Sequence, residues 1–117
     1  MNEVQVVQYL LEAGADPNLG ATASSEEGQG GMTPLMAASF HHPESPLVEM
    51  LLKYGADPKV FRDIDGLNAL HLAAKAGSVK NVELLLYHEG MDPNVKSLQH
   101  GQSPAHLAVI DGRLEVN

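Results

Sequence analysis

Cysteine is absent from the 117 residues, so disulfides, thiolate metal sites and a cysteine nucleophile are all excluded. The absence suits a reducing compartment. Tryptophan is absent too, and three tyrosines and two phenylalanines bring the aromatic share to only 4%. That is too little for a platform on which nucleic-acid bases stack. Basic residues are scarce: seven Lys and Arg against 15 Asp and Glu give a formal net charge of −8. They are scattered from Lys53 to Arg113 rather than gathered in a stripe, which argues against nucleic acid and anionic membranes as partners. The acidic balance serves solubility and is compatible with a basic partner. No apolar run approaches the roughly 20 residues needed to span a bilayer. The opening Met1-Asn2-Glu3-Val4 carries no basic segment of the kind that starts a secretory signal.

What the chain does have is an internal repeat, at a length that allows one compact domain and not two. Gly31-Met-Thr-Pro-Leu-Met-Ala-Ala38 aligns with Gly66-Leu-Asn-Ala-Leu-His-Leu-Ala-Ala74 and with Gly101-Gln-Ser-Pro-Ala-His-Leu-Ala108. The leading glycines, at 31, 66 and 101, stand 35 residues apart. A second block alternates with the first: Leu10-Leu-Glu-Ala-Gly-Ala-Asp-Pro-Asn18, Leu51-Leu-Lys-Tyr-Gly-Ala-Asp-Pro58 and Leu85-Leu-Tyr-His-Glu-Gly-Met-Asp-Pro-Asn94.

Each block has a physical reading. Thr33, Asn68 and Ser103 suit the helix N-cap, where a side-chain oxygen accepts a free backbone N–H. Pro34 and Pro104 follow at the first helical position, which needs no N–H. The small residues behind them, Ala37, Ala38, Ala73 and Ala74, let a neighbouring helix approach closely. Gly77 and Gly112 then stop this first helix. A second helix follows, with Val79, Val82, Leu85 and Leu86 spaced by three and four as a buried stripe requires. Its counterpart opens at Ser45-Pro46 before Leu47, Val48, Leu51 and Leu52. Gly14, Gly55 and Gly90 close the second helices, and Asp-Pro prevents their continuation.

These residues resemble the ankyrin repeat family, whose signature runs G-x-T-P-L-H-x-A-A, a glycine, V-x-x-L-L and G-A-D-x-N. The resemblance covers essentially the whole chain. It implies an all-α solenoid of stacked helix-turn-helix units with projecting hairpin or loop fingers. On this reading residues 1–117 are a single domain. Residues 1–18 hold the second helix of a partial repeat, 19–30 an inserted loop, 31–65 and 66–100 two full repeats, and 101–117 a further partial repeat.

The chain departs from the family pattern in three places. The family unit is about 33 residues, so the 35-residue spacing carries extra residues. One sits at His41-His42-Pro43-Glu44 and one at Tyr87-His88-Glu89-Gly90. Pro17 to Gly31 spans 14 residues against eight from Pro58 or Pro93 to the next glycine. This insertion is rich in glycine and serine, a tolerated surface loop or, through Ser24 and Ser25 before Glu26 and Glu27, a phosphorylated or partner-contacting one. Neither end reads as a polar capping repeat, since Val6, Val7, Leu10 and Leu11 would lack a neighbour on one side. The chain therefore reads as a segment of a larger multidomain protein, with self-association through uncapped ends as a consequence.

The resemblance also implies a function. Ankyrin stacks bind partner proteins through a concave face made of finger tips and first-helix ends, and the binding positions carry over by register. They are Gln29, Gly30, Met32, Phe40 and His41; Ile64, Asp65, Leu67, Lys75 and Ala76; and Gln99, His100, Gln102, Ile110 and Asp111. Met32, Phe40, Ile64, Leu67 and Ile110 would form an apolar centre with a polar rim, unless some of them, Phe40 and Ile110 foremost, pack on neighbouring units. Polar replacement of Ile64 and Leu67 is expected to weaken binding and preserve helicity. The alternative is a purely structural segment of a longer solenoid.

No enzyme is expected, nor any cofactor or metal. His71 and His106 occupy the repeat's own histidine position and tie adjacent turns together. The remote alternative, a metal-dependent enzyme at His41 and His42, has only one local cluster of ligand types to rest on. There is no G-x-S-x-G elbow, and Gly28-Gln-Gly-Gly31 lacks the Lys-Ser/Thr of a phosphate loop. Asn18 and Asn94 each follow a leucine by eight residues and an aspartate by two, resembling the pattern of the asparaginyl hydroxylase that modifies ankyrin repeats; Lys59 removes the middle site. The expected location is cytoplasmic or nuclear.

Overall fold

The computed structural model describes residues 2–19, 31–43, 46–62 and 65–110. The described residues form six α-helices, α1 (Glu3–Glu12), α2 (Pro34–His41), α3 (Leu47–Lys53), α4 (Ala69–Lys75), α5 (Val79–Glu83) and α6 (Pro104–Ile110), and one π-helical turn. No strand occurs among the described residues. α2, α4 and α6 lie side by side as one layer, and α2 packs on α3 as α4 packs on α5, with α1 against α3. Units therefore pile in register, as the repeat requires.

The three caps form as their sequence dictates. Met36 N–H donates to Thr33 Oγ1 at 3.3 Å, His71 N–H to Asn68 Oδ1 at 3.1 Å, and His106 N–H to Ser103 Oγ at 3.3 Å. α3 begins at Leu47 with Pro46 in the cap position and no side-chain capping bond. The expected cap Ser45 lies outside the described residues. Gly55 ends α3 with φ +95°, the left-handed turn that lets Ala56 N–H return to Leu51 C=O at 3.0 Å.

The extra residue at Tyr87–Gly90 is absorbed by geometry. α5 does not continue as an α-helix but widens into a π-helical turn over Leu84–His88. Glu89 N–H bonds Leu84 C=O at 3.2 Å, five residues back, and Met91 N–H reaches Leu85 C=O at 3.1 Å. A π turn holds one more residue than an α turn, so Gly90 still closes the helix after the longer run. The extra segment between α2 and α3 is held from the next unit, since Ser78 Oγ–H donates to Pro43 C=O at 2.8 Å.

Two apolar clusters hold the stack. The larger threads between the layers through Leu35, Val48, Leu51, Leu70, Ala73 and Leu85. At roughly 1.5–3 kcal/mol for each fully buried aliphatic side chain, it is the main source of cohesion. The smaller joins Met32, Met36, Leu67, Leu72 and Leu107 beneath the fingers, with Phe40 and Val60 against it.

This second cluster corrects the sequence reading. Met32 and Leu67 are 7% and 4% exposed. The sequence reading sets them at the centre of a binding surface, but both are packed with Met36, Leu72 and Leu107 and belong to the core. Polar replacement of Leu67 therefore tests stability rather than binding. A second correction concerns the second helix: Val79 is 62% exposed, and the buried positions of α5 are the polar Asn81 and its cap Ser78. The stripe begins one residue before the apolar spacing suggests. At the start of the stack, Leu11 is buried and Val6, Tyr9 and Leu10 are exposed.

Candidate binding surface

Positive φ at Gly66 (+70°) turns the chain at the tip of the finger between α3 and α4. A Cβ built there would lie 2.6 Å from Leu98 Cβ and 2.7 Å from Leu98 N, in the following finger. The two fingers can approach only because no side chain intervenes, and Leu98 N–H bonds Gly66 C=O at 3.0 Å.

The fingers before α4 and α6 close by the same backbone bond. Arg62 N–H reaches Leu67 C=O, and 35 residues on Ser97 N–H reaches Gln102 C=O, both at 2.8 Å. The side-chain locks differ. In the first, Arg62 forks onto Asp65, Nε–H to Oδ1 at 2.8 Å and an Nη–H to Oδ2 at 2.6 Å, while Leu67 N–H also donates to Asp65 Oδ1 at 3.2 Å. Partial burial raises the Asp65 pKa, but Arg62 and the Leu67 N–H outweigh it and hold the carboxyl below its ordinary value. In the second, Gln102 N–H donates to Ser97 Oγ at 3.0 Å.

His71 ties this row of fingers to the first helices. Its Nδ1 accepts Asn68 N–H at 3.2 Å, which leaves Nε2–H to donate to Gln102 C=O at 2.9 Å and Val95 C=O at 3.1 Å. One imidazole thus joins the cap of α4 to both arms of the next finger. Burial lowers its pKa, against the opposing pull of the two carbonyls. His106 repeats the local part, with Ser103 Oγ 2.8 Å from its Nδ1, but its side is exposed.

Of the positions expected to touch a partner, His41, Gln99, His100 and Ile110 are exposed, and Phe40, Asp65, Lys75 and Gln102 are half-buried. Ala76 is buried. Gln29, Gly30, Ile64 and Asp111 lie outside the described residues, as do Ser24 and Ser25. Asp65 serves chiefly to lock its own finger, a role signalled in the sequence only by Arg62 three residues before it.

The two histidines of the His-His-Pro-Glu segment diverge. His41 meets Phe40 edge-on with ring centroids 4.9 Å apart, and His42 Nδ1 lies 3.8 Å from Glu3 Oε1 of α1. Among the described residues no three His, Asp or Glu side chains gather where a metal ion would need them.

The Asp-Pro turns are pinned by their aspartates, since the N–H of Asn18, Lys59 and Asn94 each donates to the carboxylate two residues earlier, at 2.8–2.9 Å. Asn18 uses its side chain differently: Nδ2–H donates to Gly55 C=O at 3.1 Å and Oδ1 accepts Asp57 N–H at 2.6 Å. It bridges two units. Asn94 is exposed.

Comparison with known proteins concerns the sequence. Residues 35–116 match the family model for ankyrin repeats in three copies. The chain is 38% identical over 93% of its length to an ankyrin repeat protein of fowlpox virus (strain NVSL), of which it covers 30%. It is 46% identical over 67% of its length to the human 2-5A-dependent ribonuclease, covering 9% of that protein. It is 38% identical over 66% of its length to an E3 ubiquitin-protein ligase of Arabidopsis thaliana, covering 5%. The chain thus spans less than a third of these relatives.

Proposed function

The chain belongs to the ankyrin repeat family, and from that premise we propose that it is an intracellular protein–protein interaction module that grips its partner along the finger row and the adjoining ends of α2, α4 and α6. Ankyrin repeats serve generally as such modules, without chemistry of their own. The observation that carries the reading is the division of labour along the first helices. Leu35, Leu70 and His71 spend their side chains on the stack. His41, His100 and Ile110 are exposed, as is Gln99 in the finger, and Phe40 and Lys75 are half-buried. The Arg62–Asp65 and Ser97–Gln102 bonds hold the two fingers in shape before a partner arrives, which lowers the ordering cost of binding at the finger residues.

Affinity purification with a His41→Asp, His100→Asp double variant tests the proposal. Both sites are exposed, so the unfolding midpoint should stay close to that of the parent, within about 0.5 kcal/mol. The captured partner should be lost. Undiminished capture at unchanged stability would overturn the reading.

A second reading, a segment whose neighbours are further units of one solenoid, is favoured at α6. Val109 is 85% exposed, while the equivalent Ala74 of α4 is buried, and Ile110 beside it is 65% exposed. His106 also presents the edge with which His71 grips a following finger. Contact of this face with a second copy would appear as concentration-dependent mass in solution, and an unchanging monomer would exclude it.

A further inference from the structure

The bridge made by Asn18 is missing one unit later. The matching position is Lys59, which occupies the same Asp-Pro turn with the same backbone bond to its aspartate. A lysine has donors and no acceptor, so it cannot close the two-bond ring that a carboxamide closes. The groups that correspond to Gly55 C=O and Asp57 N–H are Gly90 C=O and Asp92 N–H. Neither has a hydrogen-bond partner among the described residues.

Where the bridge would lie there is instead a crevice of roughly 340 Å³. It is lined by Phe61, Met91 and Val95, buried or half-buried, by the buried Asn68, and by the exposed Lys59, Gly90 and Asp92. Met91 takes the place of Ala15 and Ala56 in the other two turns, so the lining is more apolar here than its siblings allow. The crevice also has a charge of one sign to offer. Asp92 Oδ1 is taken by Asn94 N–H at 2.9 Å, whereas the Lys59 ammonium makes no ion pair among the described residues.

We propose that this crevice binds the side-chain carboxamide of an Asn or Gln on an extended segment of a partner protein, with an acidic neighbour set against Lys59. The carboxamide oxygen accepts Asp92 N–H and its N–H donates to Gly90 C=O, repeating in trans what Asn18 does in cis. A carboxylate in the same place has no donor for Gly90, and an apolar side chain satisfies neither group. The methylenes of the entering side chain lie over Phe61, Met91 and Val95. The inference rests on the reading of the chain as a partner-binding module and assigns one determinant of its specificity.

The test is amide NMR of the full 117-residue chain, titrated with acetyl-Gln-Glu-N-methylamide and with two controls in which Glu or norvaline replaces Gln. The Gln probe should move the Asp92 and Met91 amide signals saturably, and the controls should bind at least about ten-fold more weakly, as expected when one of a pair of buried polar groups is left unmatched. The Lys59→Asn variant should restore the internal bridge, raising the unfolding midpoint by about 4 °C and abolishing the probe shifts. Equal shifts with all three probes, or none with the Gln probe, overturn the inference. So does a Lys59→Asn variant that still binds the Gln probe as the parent does. Partner capture that depends on His41 and His100 but survives Lys59→Asn removes this inference and leaves the module standing. Probe binding with capture indifferent to His41 and His100 does the reverse.

Discussion

Replacing Asn81 with leucine should make the protein more stable, the opposite of what most core substitutions do. Asn81 is fully buried in α5, and neither its Oδ1 nor its Nδ2 has a hydrogen-bond partner among the described residues. It stands four residues before the buried Leu85, where Leu47 stands four before the buried Leu51 in the preceding unit. The site is therefore one that an apolar side chain fills elsewhere in the same stack. An unmatched buried polar group costs about 1–3 kcal/mol, and Asn81 carries two of them. Leucine has the same number of side-chain heavy atoms and the same branching, so its introduction leaves no cavity. Part of the gain is offset by its somewhat larger methyl groups. A net gain of about 2 kcal/mol is expected, which corresponds to a rise in melting temperature of about 8 °C. Urea unfolding followed by circular dichroism measures it directly. The backbone N–H of residue 81 keeps its bond to Ser78 Oγ at 3.2 Å, so helix capping is not disturbed. A loss of stability would refute the reasoning, because it would mean that the asparagine is matched within the fold.

Three further perturbations probe the inter-unit ties. Gly66→Ala combines a left-handed backbone with a collision against the Leu98 backbone, and should cost at least about 2 kcal/mol; Gly55→Ala meets open space and should cost only the backbone strain, a difference that paired urea titrations resolve. Stability should fall as pH drops below about 6.5, because the buried His71 has a lowered pKa and the unfolded chain takes up the proton first; above that pH the contribution is fully present, and a His71→Leu variant should lack this component of the pH profile. Asn94 should accept hydroxylation more readily than Asn18 when the chain is incubated with the ankyrin asparaginyl hydroxylase, since Asn18 must first release Gly55 and Asp57; intact mass and peptide mapping report the order.

The period, the caps and the helix stops were legible in the sequence because each depends on residues a few positions apart. Thr33, Asn68 and Ser103 cap as expected, and the histidine position of the repeat does tie neighbouring turns at His71. What was not legible depends on residues in other units. Met32 and Leu67 lie at variable positions by register, yet only their packing against Met36, Leu72 and Leu107 shows that they are core. Val79 completes an apolar spacing but falls on the outer side, because Ser78 is drawn inward by Pro43 of the preceding unit. The π turn at Leu84–His88 could be anticipated as an extra residue, though not as a widened helix. Lys59 read only as the loss of a modification motif. Its meaning lies in the two backbone groups of the next finger that it leaves unmatched.

The central claim is that the finger row and first-helix ends form the contact face. Hydrogen–deuterium exchange of the chain with and without its captured partner tests it most directly. The account expects protection in peptides covering Phe40–His41 and Gln99–Gln102, with those of the opposite layer, such as Glu49–Lys53 and Glu83–His88, unchanged. Protection confined to the second helices would contradict it.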